Sequence, residues 1–175
     1  LTITLWRKRL KHVLGLSSRS TLTEVKEGDS QPNAVDLRLG SIFKISDNVF
    51  EISNEHKRHR GTDHELVPDH LKYYTLQPGR YEVVMENVIH VGDGEAGWVI
   101  TRSTLNRNGL YLTSGLYDSG YHGVMAAVLH VTTGVARIKK GTRIGQYISF
   151  EAEALSSYDG DYGLNKQHDQ KYGVK

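Results

Sequence analysis

From residue 31 onward the apolar residues come in short runs, about four to eight long, each cut by glycine, proline or a polar turn. Runs this short are strands rather than helices, and many strands closely spaced argue for an all-β sandwich or jelly roll. QPNAVDLRLG, residues 31–40, is the plainest: Val35, Leu37 and Leu39 alternate with Asp36 and Arg38. The period of two puts Asp36 and Arg38 together opposite the apolar face, where an ion pair on a solvated surface is the plain expectation. Residues 42–45 and 49–52 flank Ser46-Asp47-Asn48 and read as a hairpin. Tyr81, Val83 and Met85, then Val88, Ile89 and Val91, then GWVIT at 97–101, extend the strand pattern. VMAAVLHV (124–131) reads as a buried strand, Val135 to Ile138 as a short one, and RIGQYISF (143–150) as the last, with Ile144, Gln146, Ile148 and Phe150 on one face. There is no internal repeat and no sign of a second domain.

The flanks read differently. Residues 3–14 mix apolar and basic side chains at helical spacings and predict a short amphipathic helix, and residues 15–30 read as loop. Residues 53–70 are polar and hold His56, His59, His64 and His70, with no metal-ligand spacing among them; a solvated insertion is expected. The last twenty residues are rich in Gly, Asp, Lys and Tyr and poor in aliphatics, so they should stay mobile until something binds. The expected organisation is an N-terminal helix and linker (1–30), a β domain (31–155) and a flexible C-terminal lid (156–175).

Composition excludes several classes. The chain has 175 residues and no cysteine, which removes disulfides, thiolate metal sites and thiol nucleophiles. A formal net charge of +2 is too mild to argue for nucleic-acid binding. Apolar runs stay well below the roughly 18 residues of a membrane span, and no signal-peptide pattern is present. A cytoplasmic location is the expectation. The chain begins at Leu1 rather than Met, which leaves truncation or processing open.

Chemistry concentrates in Thr101 to Gly123, TRSTLNRNGLYLTSGLYDSGYHG. Arg102 offers a fork of donors, Ser103 and Thr104 offer hydroxyls, and amides of a turn beginning at Ser103 would add to an anion cradle. Arg107 adds a second positive group. Asp118, in a Tyr-Asp-Ser-Gly-Tyr turn, is either a general base for water or the acceptor of an Asx-turn; His122 is a rival base. Neither a P-loop nor a nucleophile-elbow sequence is present.

QPNAVDLRLG, RSTLNRNG, SGLYDSGYHG and GTRIGQYISF, in this order along the chain, resemble the dUTPase and dCTP deaminase superfamily, most closely the deaminase-like dUTPases typical of archaea. The resemblance runs from about residue 31 to 162. It implies a distorted jelly roll (the dUTPase-like β-clip), a homotrimer with sites at subunit interfaces, and hydrolysis of dUTP or a related deoxynucleoside triphosphate to the monophosphate and pyrophosphate, with Mg2+ carried mainly by the triphosphate. It implies phosphate binding by Arg102 and Ser103, with Thr104 and Arg107 beside them, and water activation by Asp118. The segment from Leu112 through Thr113 to Tyr117 would bind the base through its backbone, Tyr121 would lie under the sugar, and Gln146 would reach the phosphate region. Asp36 would sit near the metal through water, and Lys166, Lys171 and Tyr172 would close with the tail. Deaminases of the family carry a glutamate where this chain has Val128, which cannot move protons and so favours hydrolysis. A dCTP deaminase, mono- or bifunctional, and a non-catalytic nucleotide sensor or protein-binding member remain the alternatives.

Overall fold

The computed structural model describes residues 9–173, the side chains of Thr62 and Asp63 excepted. Among the described residues thirteen strands follow one another: β1 (Leu10–Lys11), β2 (Thr21–Leu22), β3 (Val35–Ile45), β4 (Glu51–Ile52), β5 (Lys57–Arg58), β6 (Thr62–Glu65), β7 (Tyr73–Leu76), β8 (Gly79–His90), β9 (Glu95–Thr101), β10 (Leu110–Thr113), β11 (His122–Val131), β12 (Ala136–Lys139) and β13 (Arg143–Glu151). A four-residue helix, α1 (Ser103–Asn106), follows β9, and a 3-10 helix spans Gln167–Tyr172. All pairings are antiparallel, with the main path β1-β13-β3-β8-β11-β10 and β9, β6 and β2 branching from β13, β3 and β8. The sheet curls into an all-β distorted jelly roll around Leu37, Leu39, Ile42, Leu76, Met85, Ile89, Met125, Leu129, Ile144 and Tyr147, each at most 2% exposed. No helix among the described residues is long and apolar enough to cross a membrane.

Two long strands change partners along their length, and this positions the site. β3 pairs with β13 through Val35–Arg38 and with β8 through Leu39–Lys44, with an irregularity between Leu39 and Ser41. β13 has a register shift between Arg143 and Gly145. That bulge adds one residue to the alternation. Ile144 and Tyr147 therefore both face the core, while Gln146, Ile148 and Phe150 share the other, half-buried face. The single face expected for Ile144 with Gln146, Ile148 and Phe150 is thus broken at its first member.

Two further expectations are corrected. Residues 3–8 of the expected amphipathic helix lie outside the described residues, and Leu10–Lys11 is a strand on the edge of β13 rather than helix. Residues 42–52 are not a hairpin: β3 pairs with β6, and β4 pairs only with β5. Val49, Phe50 and Ile52 are 46–66% exposed, so apolar composition there does not report burial. The tail is packed along the body. It holds by backbone ties and rings: Tyr158 N donates to Ser119 O (2.8 Å) and Leu164 N to His122 O (2.8 Å).

Candidate functional site

Two groupings of functional side chains emerge. The first surrounds Asp36. Its neighbours on β3 are core leucine and valine, yet its carboxylate is also 0% exposed and is met by three side chains. Gln146 Nε2 donates to Oδ1 at 2.9 Å, while Arg102 Nε and Arg143 Nη1 stand 3.2 and 3.4 Å from Oδ2. Arg102 also donates to Arg143 O (3.2 Å), and Arg143 to Gly28 O (2.7 Å). The surface Asp36–Arg38 pair is therefore not formed. Arg38 instead grips Asp29 through two bonds, Nη2 to Oδ1 at 2.7 Å and Nε to Oδ2 at 2.9 Å. Burial pushes the Asp29 carboxyl up, but the Arg38 fork and the Lys26 amide outweigh it and leave the group below its ordinary range.

Arg102 ends β9 in extended geometry and opens α1, which has no side-chain cap. Ser103, Thr104 and Arg107 are exposed around that turn. A half-buried guanidinium beside first-turn amides is a suitable cradle for an oxyanion. Among the described residues no group of three His, Asp or Glu can hold a metal ion. Asp36, the residue expected near a metal, already faces the two guanidiniums of Arg102 and Arg143.

The second grouping is a cavity of about 550 Å3. One wall is the segment Thr113–Tyr117, leaving β10. The floor is Tyr121 with Val124, Ala126, Ala127 and Val128 of β11, and Glu82 reaches in from β8. The tail closes the opposite side with Tyr158, Tyr162, His168, Asp169 and Tyr172. Tyr117 and Tyr121 are buried, 5.1 Å apart between rings, and donate to Ala126 O (3.0 Å) and Val124 O (2.7 Å). Burial raises both phenols above their ordinary value and keeps them neutral donors. Leu112 lies beneath in the core, its amide donating to Thr101 Oγ1 at 2.7 Å.

Asp118 follows the cavity wall in sequence but stands outside the lining, exposed, in a turn tied by backbone and side-chain bonds. Tyr121 N donates to Asp118 O (3.0 Å), Gly120 N to Val91 O (2.9 Å), and Ser119 Oγ to Glu95 O (2.6 Å). Gly120 sits at φ 85°, a conformation that favours glycine. Among the described residues nothing hydrogen-bonds the Asp118 carboxylate, so the Asx-turn alternative is not formed. His122 is turned to His90, ring centroids 5.3 Å apart.

The tail residues are engaged elsewhere than on the Arg102 grouping. Lys171 Nζ and Tyr172 Oη both reach Glu82 Oε1 at 2.9 Å, and Lys166 stands 3.7 Å from Asp159 on the surface. None of Arg102, Ser103, Asp118 or Gln146 lines the cavity. Within the chain the two groupings are separate.

Sequence reasoning passed over Arg143, Glu82 and Glu95. Arg143 stands three residues before Gln146 in a segment already singled out, so its signal was present. Glu82 alternates with core residues in a strand and carries no distinguishing mark. Glu95, 0% exposed, opens β9 and gathers Lys11 Nζ, the Arg19 and Ser20 amides and the Ser18 and Ser20 hydroxyls. Only the folded chain brings those donors to it.

Comparison with known proteins accords with this geometry. The family model described as dCTP deaminase-like matches residues 6–152. A protein of Aeropyrum pernix named probable deoxyuridine 5'-triphosphate nucleotidohydrolase is 31% identical over 138 residues, covering 77% of this chain and 85% of its own. The deoxyuridine 5'-triphosphate nucleotidohydrolase of Methanocaldococcus jannaschii is 28% identical over 148 residues, covering 83% and 94%. The 2'-deoxycytidine 5'-triphosphate deaminase structure from Agrobacterium tumefaciens superposes with a TM-score of 0.61 at 19% identity, over 87% of this chain and 47% of that one, so this chain spans about half its length. That likeness speaks for the fold; the sequence matches speak for descent, and on them the chain belongs to the dCTP deaminase-like family.

Proposed function

We propose that the protein hydrolyses dUTP to dUMP and pyrophosphate in the cytoplasm, as a homotrimer with its sites at subunit interfaces. The observation that carries this reading is the cavity. It offers a strand-edge backbone at Thr113–Tyr117, a neutral aromatic floor at Tyr121 and the aliphatic Val128. A planar pyrimidine with its own donors and acceptors suits that wall, since a base lacking the matching pattern leaves buried backbone groups unpaired. The deoxyribose would rest on Tyr121, whose close packing disfavours a 2'-hydroxyl.

The triphosphate would lie towards Arg102, Ser103, Thr104 and Arg107, supplied by a neighbouring subunit because they do not line the cavity of their own. Charge neutralisation supplies most of the stabilisation in such a reaction. Asp118, free of internal partners, would accept a proton from the attacking water as the new P–O bond forms and pyrophosphate leaves with the electrons of the broken bridge. Gln146, tied to Asp36, would orient towards the same water. Mg2+ would enter with the triphosphate and lower its charge. Lys166, Lys171 and Tyr172 would contact phosphate only after Lys171 and Tyr172 leave Glu82. The test is pyrophosphate release from Mg·dUTP: Asp118→Asn should lower turnover about 1,000-fold while dUTP binding persists. Turnover unchanged in that variant would remove Asp118 from the mechanism.

One observation favours dCTP deamination as a second reading. Val128 is the cross-strand partner of Glu82, and both line the cavity. A carboxylate therefore enters from the adjoining strand although position 128 lacks one. Ammonia release from dCTP that Glu82→Gln abolishes would establish that activity; pyrophosphate without ammonia would exclude it.

A further inference from the structure

We propose that His59, assisted by Lys57, is a positioning residue that holds the tail of its own subunit shut over the cavity. The proposal rests on the reading of that cavity as the nucleotide site.

The argument begins with two segments that lack cores of their own. The β4–β5 arm pairs only with itself, and residues 49–60 are exposed along their whole length. The tail from 156 is equally poor in aliphatics. The two meet over the cavity mouth. Lys57 forms an ion pair with Asp161. The His59 ring lies 5.2 Å from His168 and 6.4 Å from Tyr162, and Tyr162 and His168 stack edge to face at 4.7 Å. His59, Tyr162 and His168 all line the cavity. A three-ring clasp of this kind joins residues about a hundred positions apart in the chain.

The clasp occupies a gap in the tail's other attachments. Upstream, Leu164 N is tied to His122 O; downstream, Lys171 and Tyr172 are tied to Glu82. Between them Asp169 accepts from Gly163 N (2.6 Å) and from His168 Nδ1 (2.9 Å), bonds internal to the tail. Among the described residues His59 supplies the ring contact from outside the tail to Tyr162 and His168 in this section. A nucleotide entering or leaving between arm and tail would part His59 from His168 and Tyr162. The arm thus sets how long the tail stays closed, and with it the retention of nucleotide, while the reacting groups are elsewhere.

The full-length protein tests this by amide exchange and steady-state kinetics with Mg·dUTP. In His59→Ala, exchange at the Leu164, Lys166 and Asp169 amides should rise about tenfold, and KM should rise about three- to tenfold with kcat held within about twofold. His59→Phe, which keeps a ring at the contact, should restore both. Lys57→Glu should show a smaller change in the same direction, and adding Asp161→Lys should reverse it. Exchange at those amides unchanged in His59→Ala would overturn the clasp, as would raised exchange with KM unmoved, or a fall in kcat at constant KM. If the wild-type chain releases no pyrophosphate from dUTP, the proposed activity fails, while the exchange data still judge the clasp by themselves.

Discussion

The Asp36 grouping and the cavity roof are built by opposite means. Asp36, Arg102, Arg143 and Gln146 stand on strands β3 and β13 and at the end of β9, so the sheet register fixes their positions before any ligand arrives. One buried carboxylate there faces two guanidiniums and an amide, and losing a partner of a buried charge is costly. The roof is made of the tail and the β4–β5 arm, which touch through rings, single backbone bonds and exposed ion pairs, each worth little. One half is preorganised and the other closes at small cost. A triphosphate enzyme can use both: fixed donors for the developing charge, and a cover that must open each cycle.

The sharpest way to break the contrast is Arg102→Ala. Asp36 is 0% exposed and would keep only Arg143 and Gln146. Loss of one partner from a buried charge should cost about 3 kcal/mol of global stability, read as a shift in the chemical denaturation midpoint, together with most of the turnover. A variant as stable as wild type would show that the grouping is not a stabilising network.

Acid comes next and separates the body from the roof. Glu95 is held at about 2 because hydrogen bonds from Ser20, the Arg19 amide, Lys11 and Ser18 overcome the upward push of burial. A folded value below the unfolded one gives stability that is present above about pH 4.5 and is lost as pH falls towards 2. Up to about 3 kcal/mol should disappear over that window, and Glu95→Gln should flatten the profile. Because Ser119 donates to Glu95 O, the Asp118 turn should loosen in the same range.

How much of this was legible follows from the same contrast. The strands around Leu37, Val83 and Ile148 announce themselves by alternation, that around Leu129 by a short apolar run, and Arg102, Asp118 and Gln146 stand in segments singled out by their residue types. Alternation gave Asp36 its face but not its neighbours, because partner switching and the Arg143/Gly145 shift decide what covers that face. Phe50 and Ile52 misled, being apolar and exposed. Leu10–Lys11 became strand through pairing with Phe150 and Ser149, residues far along the chain. The tail's contacts were not legible, because hydropathy registers aliphatic burial and is blind to docking by backbone bonds and tyrosine or histidine rings.

Gly123→Ala should strike the roof where the tail meets Tyr121 of the cavity floor. A Cβ there would meet Gly163 Cα and Tyr121 Oη, each at 2.7 Å, and the backbone of Gly163 cannot give way as a flexible side chain can. Tail docking should weaken by about 1–2 kcal/mol, seen as faster proteolysis after residue 156, with the unfolding midpoint of the body little changed. A large drop in that midpoint would mean that the tail is part of the core rather than a cover.

The smallest expected effect belongs to Tyr172→Phe, and it probes the downstream anchor. The hydroxyl donates to Glu82 Oε1 at 2.9 Å, while the ring packs edge-on against Phe43 at 5.8 Å. Phenylalanine keeps the ring contact and removes one bond to a charged acceptor. Burial and the neighbouring Glu82 carboxylate raise the Tyr172 phenol above its ordinary value, so it is a neutral donor across the accessible pH range. The lost bond should weaken docking by about 1 kcal/mol, a roughly fivefold rise in amide exchange at Gly173, whose amide bonds to Gln170 O. Lys171 still neutralises Glu82 in this variant, so the carboxylate is not left bare and global stability should not change. Exchange rising equally at Leu164 would show that the tail opens as one piece; a rise confined to Gly173 would show that the clasp at His59 holds the middle section independently of its end.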